Sequence, residues 1–288
     1  TCPMTANMAH SFLLKGGRII DPASAHDARG DILVRDGKIQ QIGESLSFKG
    51  DSLPIIDVTD QWVMPGFVDS QASFGEPGHE DIETIQVGSR RALKGGFVVA
   101  FLLPETSPPI DNQSMVKFIL SEGEKSPLTI FPLAALTKDT AGSQMAEMNE
   151  LRRAGAIAFS DGRKNISNSL LMRRILEYAS MVKIPVISFP DDAELSNEGF
   201  ANEGPTAIEM GFKATPVESE EIAIARDILL ARLTKGNIHI GPISSKGSLD
   251  LLERSREQKL MVSSFTAPHY LFLTDKVLDH YLAEGKVY

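Results

Sequence analysis

The amino-acid sequence predicts an α/β protein in which a small all-β unit precedes a run of parallel strand–helix pairs. Two observations carry this. Residues 11–64 consist of short apolar runs broken by turn residues, with no helical periodicity. From Phe67 onward, short apolar runs alternate with longer amphipathic stretches. The apolar runs in this second part do not alternate in polarity, as suits strands buried on both faces of a parallel sheet.

Taken in order, Phe12-Leu13-Leu14 and Gly17-Arg18-Ile19-Ile20 read as strands ending at the Asp21-Pro22 break. Asp31-Ile32-Leu33-Val34 and Ile39-Gln40-Gln41-Ile42 flank Asp36-Gly37, a hairpin signal because both turn positions need positive φ. Ile55–Val58 and Trp62–Met64 complete the β unit, which Pro65-Gly66 ends. The second part predicts strands at Phe67–Asp69, Phe97–Leu102, Thr129–Pro132, Ala156–Ser160, Val186–Phe189, Ile238–Gly241 and Met261–Ser264. Helical stretches lie at Ile82–Lys94, Gln113–Glu122, Gln144–Ala154, Ser169–Met181, Ser219–Thr234, Ser248–Gln258 and Asp275–Ala283. A closed barrel of this type needs about eight strands, and no eighth is visible before Tyr288. A doubly wound sheet gives the same alternation, but it usually opens on a glycine-rich phosphate loop. The strand-one exit, Asp69–Gly75, has no such loop, and no Walker motif occurs.

Composition narrows the classes of function. With 29 Lys plus Arg against 38 Asp plus Glu, the net charge of −9 argues against general nucleic-acid binding. The single cysteine, Cys2, excludes an intramolecular disulfide and a cysteine zinc cluster. No apolar run approaches the roughly 20 residues of a membrane span. Residues 1–10 read as a disordered leader or cloning remnant, and the expected location is the cytoplasm.

Specific motifs sharpen the fold. Leu14–Pro22, Asp36–Ile39, Val63-Met64-Pro65-Gly66-Phe67-Val68-Asp69 and Gly75-Glu76-Pro77-Gly78 are similar to the opening of dihydroorotases and related cyclic amidohydrolases. Ala156–Gly162, Asp191–Leu195, Asn202-Glu203-Gly204, Pro216 with Glu220-Glu221, Ser244–Ser248 and Pro268–Leu271 continue the resemblance in family order. It implies a (β/α)8 TIM-type barrel over residues 65–288, lacking its eighth strand, beside a small N-terminal β-sandwich over residues 11–64. It also implies a native chain running past Tyr288, by roughly 80–130 residues on the family's size.

The family reaction hydrolyses or closes a cyclic amide, using metal ions to activate water and polarise the carbonyl. In active members a His-x-His pair ends strand one, a carboxylated Lys or an Asp ends strand four, and single His residues end strands five and six. The matching positions here are Gln71 and Ser73, Asp161, Phe189 and Pro242. Gln and Ser are weak zinc ligands, and Phe and Pro offer no donor. The Arg and Asn that grip the substrate carboxylate correspond to Gly75 and Glu105. A carboxylate at 105 would repel an anionic substrate. The base expected after strand eight has no counterpart.

These departures imply a dihydroorotase-like protein of pyrimidine synthesis that is catalytically degenerate, binds no cofactor and is retained for assembly. Aspartate transcarbamoylase is the candidate partner, and a homodimer is expected. The alternative is an active cyclic amidohydrolase of changed specificity, using Asp161, Asp191 and His269, with zinc if it uses a metal. Asp161 is the one weak metal candidate. Asp161, Asp191 and Asp192 with Glu105 could floor an acidic pocket able to hold Mg²⁺. The preferred reading makes Asp161-Gly162 a turn and Asp191-Asp192 a helix cap. His79 lacks ligand partners at nearby spacing, and His239 reads as a hydrogen-bonded barrel residue.

Overall fold

The computed structural model describes residues 11–46 and 53–278. The leader read at 1–10, with Cys2, lies outside them, as does the end of the helical stretch read at Asp275–Ala283. The chain divides into two compact units, Thr1–Phe67 and Val68–Tyr288.

The first unit carries one five-stranded sheet, β1 (Phe12–Asp21), β2 (His26–Arg35), β3 (Lys38–Gly43), β4 (Ile55–Asp57) and β5 (Trp62–Val63). β1 and β2 pair antiparallel, as do β2 and β3, while β4 and β5 join β1 in parallel. Asp36 and Gly37 form the two-residue turn between β2 and β3, with φ of 50° and 73°. The two runs read before Asp21 are a single strand with a bulge between Leu14 and Gly17. Leu13 and Ile19 of β1 and Ile32 and Leu33 of β2 are the sheet's buried apolar side chains among the described residues. Asp31 is buried beside them because its two oxygens accept from the Gly16 and Leu46 N–H groups, each at 2.9 Å.

The second unit is built on a seven-stranded sheet. Its strands are β6 (Phe67–Ala72), β7 (Phe97–Leu102), β8 (Thr129–Ala134), β9 (Ala158–Phe159), β10 (Val186–Ser188), β13 (Ile238–Ile240) and β14 (Val262–Ser264). They lie side by side in sequence order, and the registers from β7 to β14 are parallel. Helices α1 (Ile85–Lys94), α2 (Gln113–Glu124), α3 (Met148–Ala154), α4 (Ser169–Val182), α7 (Glu218–Thr234) and α8 (Lys246–Glu257) connect them. Thr84, Asn112, Asn168 and Ser245 cap four of these helices by accepting from their first-turn N–H groups. The core fills the space between sheet and helices, with Ile85, Leu102, Ile119, Leu133, Leu151, Phe159, Ile175 and Leu176 fully enclosed.

All seven strands read from the sequence are present in order. An insertion between β10 and α7 is the main addition. It contains α5 (Ala193–Ser196), β11 (Ala201–Asn202), α6 (Pro205–Met210) and β12 (Ala214–Thr215). β11 and β12 form a two-residue parallel pair, closed by Phe200 against Phe212 at 4.8 Å between ring centres. Elements this short leave no periodicity to read. After β14 the chain forms α9 (Pro268–Phe272) and a single 3-10 turn over Asp275–Leu278.

Candidate functional site

The residues singled out from the sequence sit at the carboxyl ends of the parallel strands, where barrel proteins place their chemistry. Gln71 is the penultimate residue of β6, and Glu105 lies just after β7, Asp161 just after β9, Phe189 directly after β10 and Pro242 just after β13. They do not form one cluster.

Asp161 is 2% exposed. Its Oδ1 accepts from the Leu136 N–H (2.8 Å) and the Thr137 N–H (2.9 Å), and Thr137 Oγ1 donates to its Oδ2. Its carboxylate therefore secures the loop after β8. Burial raises its pKa against these bonds. Asp161, Asp191, Asp192 and Glu105 do not make a metal-holding acidic floor: among the described residues, no three His, Cys, Asp or Glu side chains lie close enough to share an ion.

Glu105 is engaged elsewhere. Its Oε1 accepts from the Arg163 N–H at 2.6 Å and its Oε2 from Arg163 Nε at 3.1 Å. Gly162, at φ +71°, makes room for it, since a Cβ there would fall on Glu105 Cγ and Cδ. Gly75 is equally constrained. Its carbonyl accepts from the His79 N–H at 2.6 Å, and a Cβ at 75 would fall on the backbone carbonyl of His79. A longer side chain has no place in this loop conformation. Ser73 and His79 are exposed. The Gln71 N–H donates to Asp69, while its Nε2 is buried with no partner among the described residues.

A cavity of about 1010 Å³ opens beside these strand ends. It brings together Phe189, Asp191, Pro242 and His269 with Arg163 and Glu220, and leaves out Gln71, Ser73, Gly75, Glu105 and Asp161. The insertion supplies one wall, through Ser196, Phe200 and Thr215. Asp191 accepts from Ser196 Oγ at 3.1 Å; burial first, then the charge of Asp192, raises its pKa. Asp192 caps α5 by accepting from the Leu195 N–H. His269 packs edge-on against Tyr270, and its Nε2 is buried without a partner among the described residues. His239 bonds Ser263 at 2.8 Å and stacks on Phe265.

As donors for a zinc ion these residues do not fit. Phe189 and Pro242 have no donor atom, Ser73 faces solvent, and both Asp161 oxygens are already bonded.

The dihydro-orotase-like family model matches residues 60–248. The chain belongs to that family. This dihydroorotase-like chain is 39% identical over 275 residues to the dihydroorotase of Endomicrobium trichonymphae, covering 95% of this chain and 64% of that protein. It is 39% identical over 278 residues to the dihydroorotase of Pelobacter propionicus, covering 96% and 65%. The chain thus spans under two thirds of the length of these curated relatives. Among solved structures, the L-hydantoinase (dihydropyrimidinase) from Arthrobacter aurescens superposes with a TM-score of 0.76 at 18% identity, covering 93% of this chain and 60% of that one. The dihydropyrimidinase from Brevibacillus agri gives 0.72 at 19%, covering 96% and 61%. These likenesses establish the barrel-type fold of the dihydroorotase-like chain, seven strands of which are described.

Sequence reading overlooked Arg163, Glu220 and Tyr270 as members of the site. Glu220 lies in a family motif and Tyr270 beside His269, so position alone could have marked both. Arg163 carries no local signal, because its partner is 58 residues away.

Proposed function

We propose that this dihydroorotase-like chain is a noncatalytic member of its family, acting in pyrimidine biosynthesis in the cytoplasm and retained for assembly. One observation carries the reading: the strand-four carboxylate, Asp161, is spent on the Leu136–Thr137 backbone, and no His stands at the positions where active members place one. A metal-activated water needs several strong ligands around an open coordination position. The loss of the Arg and Asn anchors at Gly75 and Glu105 supports the same reading, since neither position offers a side-chain donor to a dihydroorotate carboxylate and Glu105 holds Arg163 instead. Aspartate transcarbamoylase is the proposed partner, with the chain itself as a dimer.

The test is direct. The protein is purified with zinc, its bound metal is quantified, and hydrolysis of dihydroorotate is followed by loss of the cyclic amide. The expected result is no stoichiometric zinc and no turnover above background, with co-elution when mixed with aspartate transcarbamoylase. Stoichiometric zinc together with turnover sinks the noncatalytic reading and favours an active cyclic amidohydrolase. Failure to co-elute removes the assembly partner.

A further inference from the structure

The cavity at the strand ends has walls of nearly one sign. Asp191, Glu198, Glu220 and Asp275 line it, and Arg163 is the only lysine or arginine among its described lining residues. That guanidinium is already held by Glu105, which itself lies outside the lining. Glu220 is bonded by neutral donors: the N–H and Oγ of Ser244, the Ser245 N–H and Ser248 Oγ. Hydrogen bonds of this kind hold a carboxylate in place without cancelling its charge. Asp191 has the Ser196 hydroxyl as its hydrogen-bond donor.

Burial and then the charge of Glu220, across the same cavity, raise the Tyr270 pKa. A cleft with low-dielectric walls and charges of one sign concentrates ions of the other sign. Phe189, Phe200, Tyr270 and Pro242 give the lining an apolar and aromatic part, beside neutral polar groups such as Thr215 and Asn202. Aromatic faces attract cations and repel anions. The volume is in the range of small-molecule sites.

We propose that this cavity binds a small organic cation with a flat apolar body, such as an amine or amidine, and excludes carboxylates. The inference rests on the reading that positions 75 and 105 no longer grip an anionic substrate, and it gives the altered site a ligand class opposite in charge to dihydroorotate.

An isosteric charge series tests it. Benzamidine, benzamide and benzoate have the same ring and differ in charge. Each is titrated into the whole chain by calorimetry at low salt. Benzamidine is expected to bind about tenfold tighter than benzamide, with no saturable binding of benzoate. Asp191→Asn keeps an acceptor for Ser196 and is expected to weaken benzamidine about three- to tenfold while leaving benzamide unchanged. Glu105→Gln keeps an acceptor for the Arg163 N–H but frees the guanidinium charge, so benzoate binding is expected to appear. Equal affinity across the series, or tightest binding of benzoate by the unmodified protein, overturns the proposal. So does insensitivity of benzamidine to Asp191→Asn, or continued exclusion of benzoate by Glu105→Gln. Circular dichroism confirms that both variants are folded. The probes are unreactive, so these outcomes are read separately from dihydroorotate turnover, which tests the noncatalytic reading.

Discussion

Glu105 reaches across the strand ends to Arg163, taking the backbone N–H at 2.6 Å and Nε at 3.1 Å with its two oxygens. The contact exists only because Gly162 has no side chain to block it. The Arg163 side chain is 53% exposed, so the ion pair alone is a weak stabiliser. Glu105→Ala is expected to change stability by less than about 1 kcal/mol. Gly162→Ala is expected to cost more, since φ of +71° alone disfavours alanine by roughly 1–2 kcal/mol and its Cβ displaces Glu105. The double variant should recover the displacement but not the backbone part. Urea unfolding of all three separates the two; strict additivity would show that Glu105 and residue 162 do not touch.

Asp161 tests a different use of a site position. Asp161→Ala takes the acceptor from the Thr137 N–H and hydroxyl in a buried setting and leaves the Leu136 N–H only its longer bond to the Ser160 carbonyl, at 3.3 Å. The expected loss is about 2–4 kcal/mol in urea unfolding. Asp161→Asn, which keeps one acceptor oxygen, should lose less. Hydrogen exchange at Leu136 and Thr137 should accelerate selectively in the alanine variant. An unchanged exchange rate there would mean that the carboxylate does not hold the loop.

How much of this was legible in the sequence depended on distance along the chain. The seven strands were readable because buried parallel strands are continuous apolar runs, as at Phe97–Leu102 and Val186–Ser188. The Asp36-Gly37 turn was readable because its backbone demand falls on two adjacent residues. The Asp192 cap was a local pattern too. Glu105 was recognised as an anomaly, but not its partner, because no local pattern links it to Arg163. Asp161 was placed correctly at a strand end. The donors that claim it come from Leu136 and Thr137 in another loop, and nothing near Asp161 announces them. The insertion wall of the cavity escaped notice because its two-residue strands fall below any period.

The buried pair under the site offers a third test. Asp227 is fully buried, its Oδ1 accepting from Arg226 Nε (3.0 Å) and Nη2 (2.7 Å) and its Oδ2 from Ser188 Oγ (2.6 Å). Arg226 also donates to the Ile166 carbonyl and to Asn165, which in turn donates to the Phe189 carbonyl. Arg226→Met would strand a buried carboxylate and free this chain of contacts. A loss of about 3–5 kcal/mol is expected. Burial already raises the Asp227 pKa, and losing the guanidinium raises it further, so the variant should recover stability as pH falls. A uniform loss at every pH would show that Arg226 contributes packing rather than charge.

His239 gives the opposite pH dependence. Its ring is half-buried on β13 between Ser263 and Phe265, and burial lowers its pKa below the ordinary imidazole value of about 6.5. As pH falls below that value, the unfolded chain takes up the proton before the folded chain does. Protonation then favours the unfolded state, so the contribution present above about pH 6.5 is lost as pH falls through the lower folded pKa. His239→Gln keeps a hydrogen-bonding group for Ser263 and removes the titration. The unmodified protein should therefore lose more unfolding midpoint between pH 7.5 and pH 5 than the variant does. Comparing the two proteins cancels the carboxylates, among which Asp161, Asp191 and Asp227 have raised pKa values that act in the other direction. Parallel pH curves for the two would show that the ring is solvated in the folded protein, and that β13 does not bury it.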